Sequence, residues 1–160
     1  MRNYWENNLF PQFLQSIDDC TLLELTNLEI QNQLGYLVVR AVNDFKFPKV
    51  ELDYLFDNNN NSETGETYGY YFTNNEVGQK EFNVILARMK YYWIEFQISQ
   101  ERLFSNLYYD RDVRFHSPGN TIDKLLKMST TFKKRADKAE FDYGRISNIG
   151  DPAIGEVNDE

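Results

Sequence analysis

From Thr73 to Tyr109 the chain runs without proline, and Phe82, Ile85, Leu86, Met89, Trp93, Phe96, Leu103 and Leu107 recur at helical spacing, with Gln100 in the same register. Thr73 and Glu76 stand at capping-box spacing where this run begins. The pattern predicts one very long helix of roughly nine turns, about 50 Å from end to end. A helix of that length exceeds what the core of a 160-residue chain covers, so part of it is expected to project or to pack against another subunit. Tyr91, Tyr92 and Ile94 widen its apolar surface beyond one stripe. Filling the domain's own core is the first use for each of these aromatics, and whichever remain uncovered are interface.

The rest of the chain supplies shorter elements around this one. Tyr4, Trp5, Leu9, Phe10, Phe13, Leu14 and Ile17 share a helical stripe interrupted near Pro11, which predicts a short docking segment. Thr26 and Glu29 have capping-box spacing, and Ile30, Leu34, Leu37, Val38, Ala41, Val42 and Phe45 follow with helical periodicity, giving a helix over 26–45 that Pro48 closes. Between Val50 and Phe72 the period changes to two. Val50, Leu52, Tyr54 and Phe56 alternate, an Asn run and Gly65 interrupt, and Tyr68-Gly69-Tyr70-Tyr71-Phe72 follows, so a small β-hairpin or extended arm is expected between helices. Asn120 is the expected cap of a last helix carrying Ile122, Leu125, Leu126, Phe132, Ala136 and Ala139 and ending near Tyr143. The fold class is mainly α, a helical bundle. Residues 1–146 form one domain with a flexible acidic insertion at 57–67, and 147–160 form a flexible acidic C-terminal tail, because neither segment buries enough apolar surface to offset its ordering entropy.

A formal charge of -8 opposes broad binding to a phosphate backbone, which draws its affinity from clustered Lys and Arg. The last helix is the one basic region, with Lys124, Lys127, Lys133, Lys134, Arg135 and Lys138; a solvated face is its simplest role, and contact with an acidic partner or passing DNA the other. Cys20 is the single cysteine, so an internal disulfide cannot form. Only Arg2 precedes polar residues at the start, which predicts neither a signal peptide nor a membrane span, and hence a cytoplasmic origin. Reactive constellations are missing. His116 is the sole histidine, and Asp110 and Asp112 beside it lack metal-loop spacing. Gly65, Gly69 and Gly78 form no phosphate loop, and the adjacent Asp18 and Asp19 point about 100° apart on a helix. The expectation is a protein that is not an enzyme and takes no cofactor or metal.

The chain holds 12 Phe, 11 Tyr and 2 Trp, and side chains of this kind give large contact area at low entropic cost. The candidates for partner contact are Phe47, Tyr71, Tyr91, Tyr92, Trp93, Phe96 and Phe115, with Ile149 and Ile154 in the tail.

The order of Phe45-Lys46-Phe47-Pro48, then Tyr71-Phe72 with Glu76 ahead of the long helix, then Met89, Trp93 and Gln97-Ile98, then Asp112-Val113-Arg114-Phe115-His116-Ser117, resembles head-to-tail connector proteins of tailed bacteriophages, the neck or head-completion proteins, especially those of crAss-like phages. The resemblance covers roughly residues 40 to 145. It implies a mostly helical adaptor, without catalytic residues or cofactor, that assembles as a homo-oligomeric, dodecameric ring on the portal protein, contacts neighbouring connector and tail proteins, and extends the DNA channel toward the tail. It also implies a place in the virion neck, reached by assembly in the host cytoplasm, with DNA passing nearby and no membrane contact. The Asn-rich insertion and the basic last helix depart from that pattern. A small acidic immunity or inhibitor protein, neutralising a toxin or nuclease by charge complementarity, is the rival expectation; a helical DNA-binding module is a third, which the net charge opposes.

Overall fold

The computed structural model describes residues 3–17, 27–57, 69–108 and 118–146. Its elements are β1 (Asn3–Tyr4), α1 (Trp5–Ser16), α2 (Asn27–Asp44), β2 (Tyr54–Asp57), β3 (Gly69–Phe72), α3 (Gln79–Tyr108) and α4 (Pro118–Ile146). The fold is mainly helical with one small antiparallel sheet. Of the insertion expected at 57–67, Asp57 ends β2 instead; the rest of it and the tail, together with Thr26, Phe115, His116, Ile149 and Ile154, lie outside the described residues.

In the sheet, Tyr54 stands opposite Phe72 and Asp57 opposite Gly69, while β1 lies along the other edge of β3 with Tyr4 opposite Tyr71. Alternation sends Tyr54, Tyr70 and Phe72 inward, where Trp5 stacks on Tyr70 at 4.9 Å and tilts against the other two. The first residue of β3 has to be glycine. Gly69 sits at φ 154°, and a Cβ there would approach the Glu6 carboxylate to 2.9 Å. Burial under this strand pushes the Glu6 carboxyl pKa up.

The core joins one face of α1 (Trp5, Leu9, Phe13) to α2 (Leu34, Val38, Ala41) and α3 (Ile85, Met89), all essentially inaccessible. Each such large side chain contributes about 1.5–3 kcal/mol by burial. This corrects the reading of residues 4–17 as a docking segment: the helix continues through Pro11, and its stripe is spent on the chain's own core.

The expected single very long helix is also replaced by a pair. α3 has 30 residues and α4 has 29, and they lie antiparallel against one another. The length of α3 is thus matched within the chain, and it begins later than its sequence signal. Thr73 sends both its amide and its hydroxyl to the carbonyl of Asp53, at 2.9 and 3.1 Å, closing the hairpin instead of capping a helix. Asn74 makes a turn with the amide of Glu76 at 2.9 Å. The cap is Gly78, whose N–H donates to the Glu81 carboxylate at 2.9 Å from the third helical position. α4 opens on Pro118, which suits the first position because its missing N–H would have no helical partner there; Asn120 lies inside the first turn and is not the cap.

Candidate partner-docking surface

The α3–α4 contact determines what the protein shows to others. On α4, Ile122, Leu125, Ser129, Phe132, Ala136 and Tyr143 are buried or half-buried, following the alternating three-and-four spacing of a seam between helices. On α3, polar residues recur every seven positions along the facing side. Glu81 accepts the Tyr143 hydroxyl at 2.9 Å, Arg88 pairs with Glu140, and Glu95 accepts the Ser129 hydroxyl. Arg88 is 4% exposed and also pairs with Asp44 of α2, with Asp137 at 3.8 Å, so one guanidinium ties three helices together. Polar layers of this kind contribute little net stability, but a helix slipped by one turn would bury them unpaired, which fixes the register.

This register places the C-terminal turns of α4 beside the loop after α2. Glu140 accepts the Lys46 backbone N–H at 2.8 Å, and the Tyr143 hydroxyl accepts the Lys49 backbone N–H at 3.0 Å. Phe45 packs edge-on against the Tyr143 ring at 5.2 Å. Between these anchors stands Phe47, 77% exposed, followed by Pro48, whose ring fixes φ. The loop is held at both ends and carries its aromatic outward. Burial raises the Tyr143 phenol pKa; the Lys49 amide opposes this and the Glu81 carboxylate adds to it.

The other sequence candidates fall into two groups. Tyr92 and Trp93 belong to the core and are not surface. Tyr92 lies under the Arg40 guanidinium at 4.3 Å, and its phenol is pushed up to about 12, by burial first and then by its hydrogen bond to the Asp44 carboxylate. Trp93 meets Phe13 edge-on at 6.3 Å and stacks on Phe96 at 5.8 Å. Tyr71 and Tyr91 are half-buried, Tyr71 beside the Tyr4 ring at 5.4 Å and Tyr91 beside Tyr92 at 5.1 Å. Burial raises the Tyr91 pKa, with the neighbouring Glu95 carboxylate adding to it. Phe96 is partly exposed and lines a cleft of about 290 Å³ with Tyr36 and Leu37 of α2.

Several exposed apolar residues escaped the sequence reading as surface, Tyr36, Leu55, Phe56 and Phe141 the most exposed, with Leu14, Leu126 and Met128 less so. For Tyr36 and Phe141 the helical register carried the signal, since both fall off the stripes that Leu34–Val38 and Phe132–Ala136 define. Among the described residues no group of three or more His, Cys, Asp or Glu is placed to hold a metal ion, and no helix is long and apolar enough to cross a membrane. Comparison of the chain with models of known families, with curated proteins and with solved structures finds no match.

Proposed function

We propose that this protein is a non-enzymatic structural subunit, a connector or adaptor that forms a ring on the portal of a tailed phage and extends the DNA channel toward the tail. One observation carries the reading: large apolar side chains are exposed on several separate elements and not in one patch. Phe47 stands on the anchored loop, Leu55 and Phe56 on β2, and Phe141 on α4. A ring subunit touches two lateral neighbours and at least one axial partner, so it needs several such places, whereas an inhibitor needs one contiguous patch. The acidic balance supports the same reading, because a channel wall carrying net negative charge does not hold the DNA that passes it. The resemblance contributes the portal, the neighbouring connector and tail proteins, the dodecameric copy number and the place in the virion neck.

The test is the mass of the complex formed with the portal protein. The proposal expects many copies of this chain per assembly. A strict one-to-one complex with a basic toxin or nuclease, and no association with a portal, would establish the acidic inhibitor instead.

A further inference from the structure

Charge in this chain is segregated onto one helix. α4 contains seven of the 17 Lys and Arg residues and four of the 25 Asp and Glu residues, leaving ten basic against 21 acidic elsewhere. Within α4, Lys124, Lys127, Lys134, Lys138 and Arg145 follow a three-and-four spacing and are all exposed. Thr131 and Phe141 complete that spacing and are exposed too. They form a ridge about 32 Å long on the side away from the seam. One apolar side chain stands on the ridge itself, Phe141 at 64% exposed, while Leu126 and Met128 flank it about 100° to either side. A phosphate-binding ridge has no use for these, whereas a protein interface combines apolar contact with charge.

The described hairpin carries the opposite pattern. Glu51 and Asp53 are exposed, and Leu55 is 55% exposed at the next step of the same period, opposite Tyr71 across the strands. The Asp53 backbone is held by the two hydrogen bonds from Thr73, which keeps this acidic-apolar face in place. Basic-apolar ridge and acidic-apolar hairpin sit on different elements of one chain.

We infer that the α4 ridge docks on the hairpin face of a second copy of this chain. The contact is heterologous, since it joins two different patches, and repetition produces a ring where the rotation closes and an open chain where it does not. The closed form rests on the ring-subunit reading proposed above; the pairing of ridge with hairpin does not. Because the charges are exposed, the association weakens with salt, the screening length being about 10 Å at 0.1 M.

Two double variants of the full chain test it, Lys134→Glu with Lys138→Glu on the ridge and Glu51→Lys with Asp53→Lys on the hairpin, their fold checked by circular dichroism. Sedimentation of the 19.0 kDa chain at low and high salt gives the masses. The inference expects the unaltered protein to form multimers at low salt that dissociate at high salt, and each variant alone to lose them. A mixture of the two variants should re-form multimers in which they alternate, because the intact ridge of one meets the intact hairpin of the other and the charge-reversed ridge likewise faces a charge-reversed hairpin. Open chains of the unaltered protein with this variant pattern would uphold the inference and contradict the ring. Rings that survive both substitutions would contradict the inference and leave the ring standing. A monomer at every salt concentration overturns the inference, as does a ridge variant that loses DNA binding while its self-association is unchanged, which would make the ridge a nucleic-acid surface.

Discussion

Arg88 holds three helices at one point. It is buried with carboxylates from α2 and α4 around it, so its removal leaves Asp44 and Glu140 facing each other without a cation. Breaking a fully buried pair costs about 3–5 kcal/mol, and the cost here falls at the low end, because Glu140 is 12% exposed but Asp44 keeps 39% of its side chain in solvent. Arg88→Ala is therefore expected to lower denaturant stability by roughly that amount, and Glu140→Gln by less, since Asp44 and Asp137 still face the guanidinium. Chemical denaturation of both variants checks the order; equal, small losses would remove Arg88 from its central position. Tyr92 makes a second prediction. Its folded pKa, raised to about 12, exceeds the ordinary tyrosine value of 10, so its contribution is fully present below pH 10. It is lost as pH rises from 10 toward 12, because the unfolded chain releases the proton first. Ultraviolet titration should show Tyr92 among the last phenols to ionise, with stability falling over that window, and Tyr92→Phe should remove that component. An ordinary titration of all eleven tyrosines would contradict the assignment.

At the scale of elements, α4 acts as a clamp on the loop after α2. The Tyr143 hydroxyl both donates to Glu81 and accepts from the Lys49 amide, so Tyr143→Phe removes two hydrogen bonds while keeping the ring against Phe45. The expected loss is about 1–3 kcal/mol. Hydrogen exchange should quicken at the Lys49 amide more than at the Lys46 amide, which Glu140 still holds. Uniform exchange across the loop would mean that the two anchors are not independent. The helices and the hairpin were legible in sequence because their apolar periods are strong. The boundaries were less so: Thr73 and Glu76 match a capping box by spacing, yet the hairpin claims Thr73, a tertiary demand that local pattern does not contain. The second face of α3 was missed for a similar reason. Reading apolar residues alone finds Phe82, Ile85, Met89 and Trp93, whereas the side toward α4 is marked by Glu81, Arg88 and Glu95, charges that look like a solvated face until their partners on α4 are in place. Among the candidate contacts, Phe47 is exposed because the anchored loop turns it outward, and Tyr92 and Trp93 are buried because α1 and α2 cover that part of α3.

The whole molecule joins a helical body, in which α3 and α4 cover one another, to exposed apolar residues spread over several elements and a charge distribution split between α4 and the rest. These features suit a subunit surrounded by neighbours. They also separate roles within the chain: the polar seam sets the register, the register fixes the Phe47 loop, and the loop and outer faces are left exposed. The most direct measurement is an electron-microscopy reconstruction of this protein combined with a phage portal protein, the partner proposed above. The account predicts a closed ring of many copies, with Phe47 and the outer face of α4 covered by neighbouring chains. A single copy per complex, or a ring in which both surfaces face solvent, would contradict it.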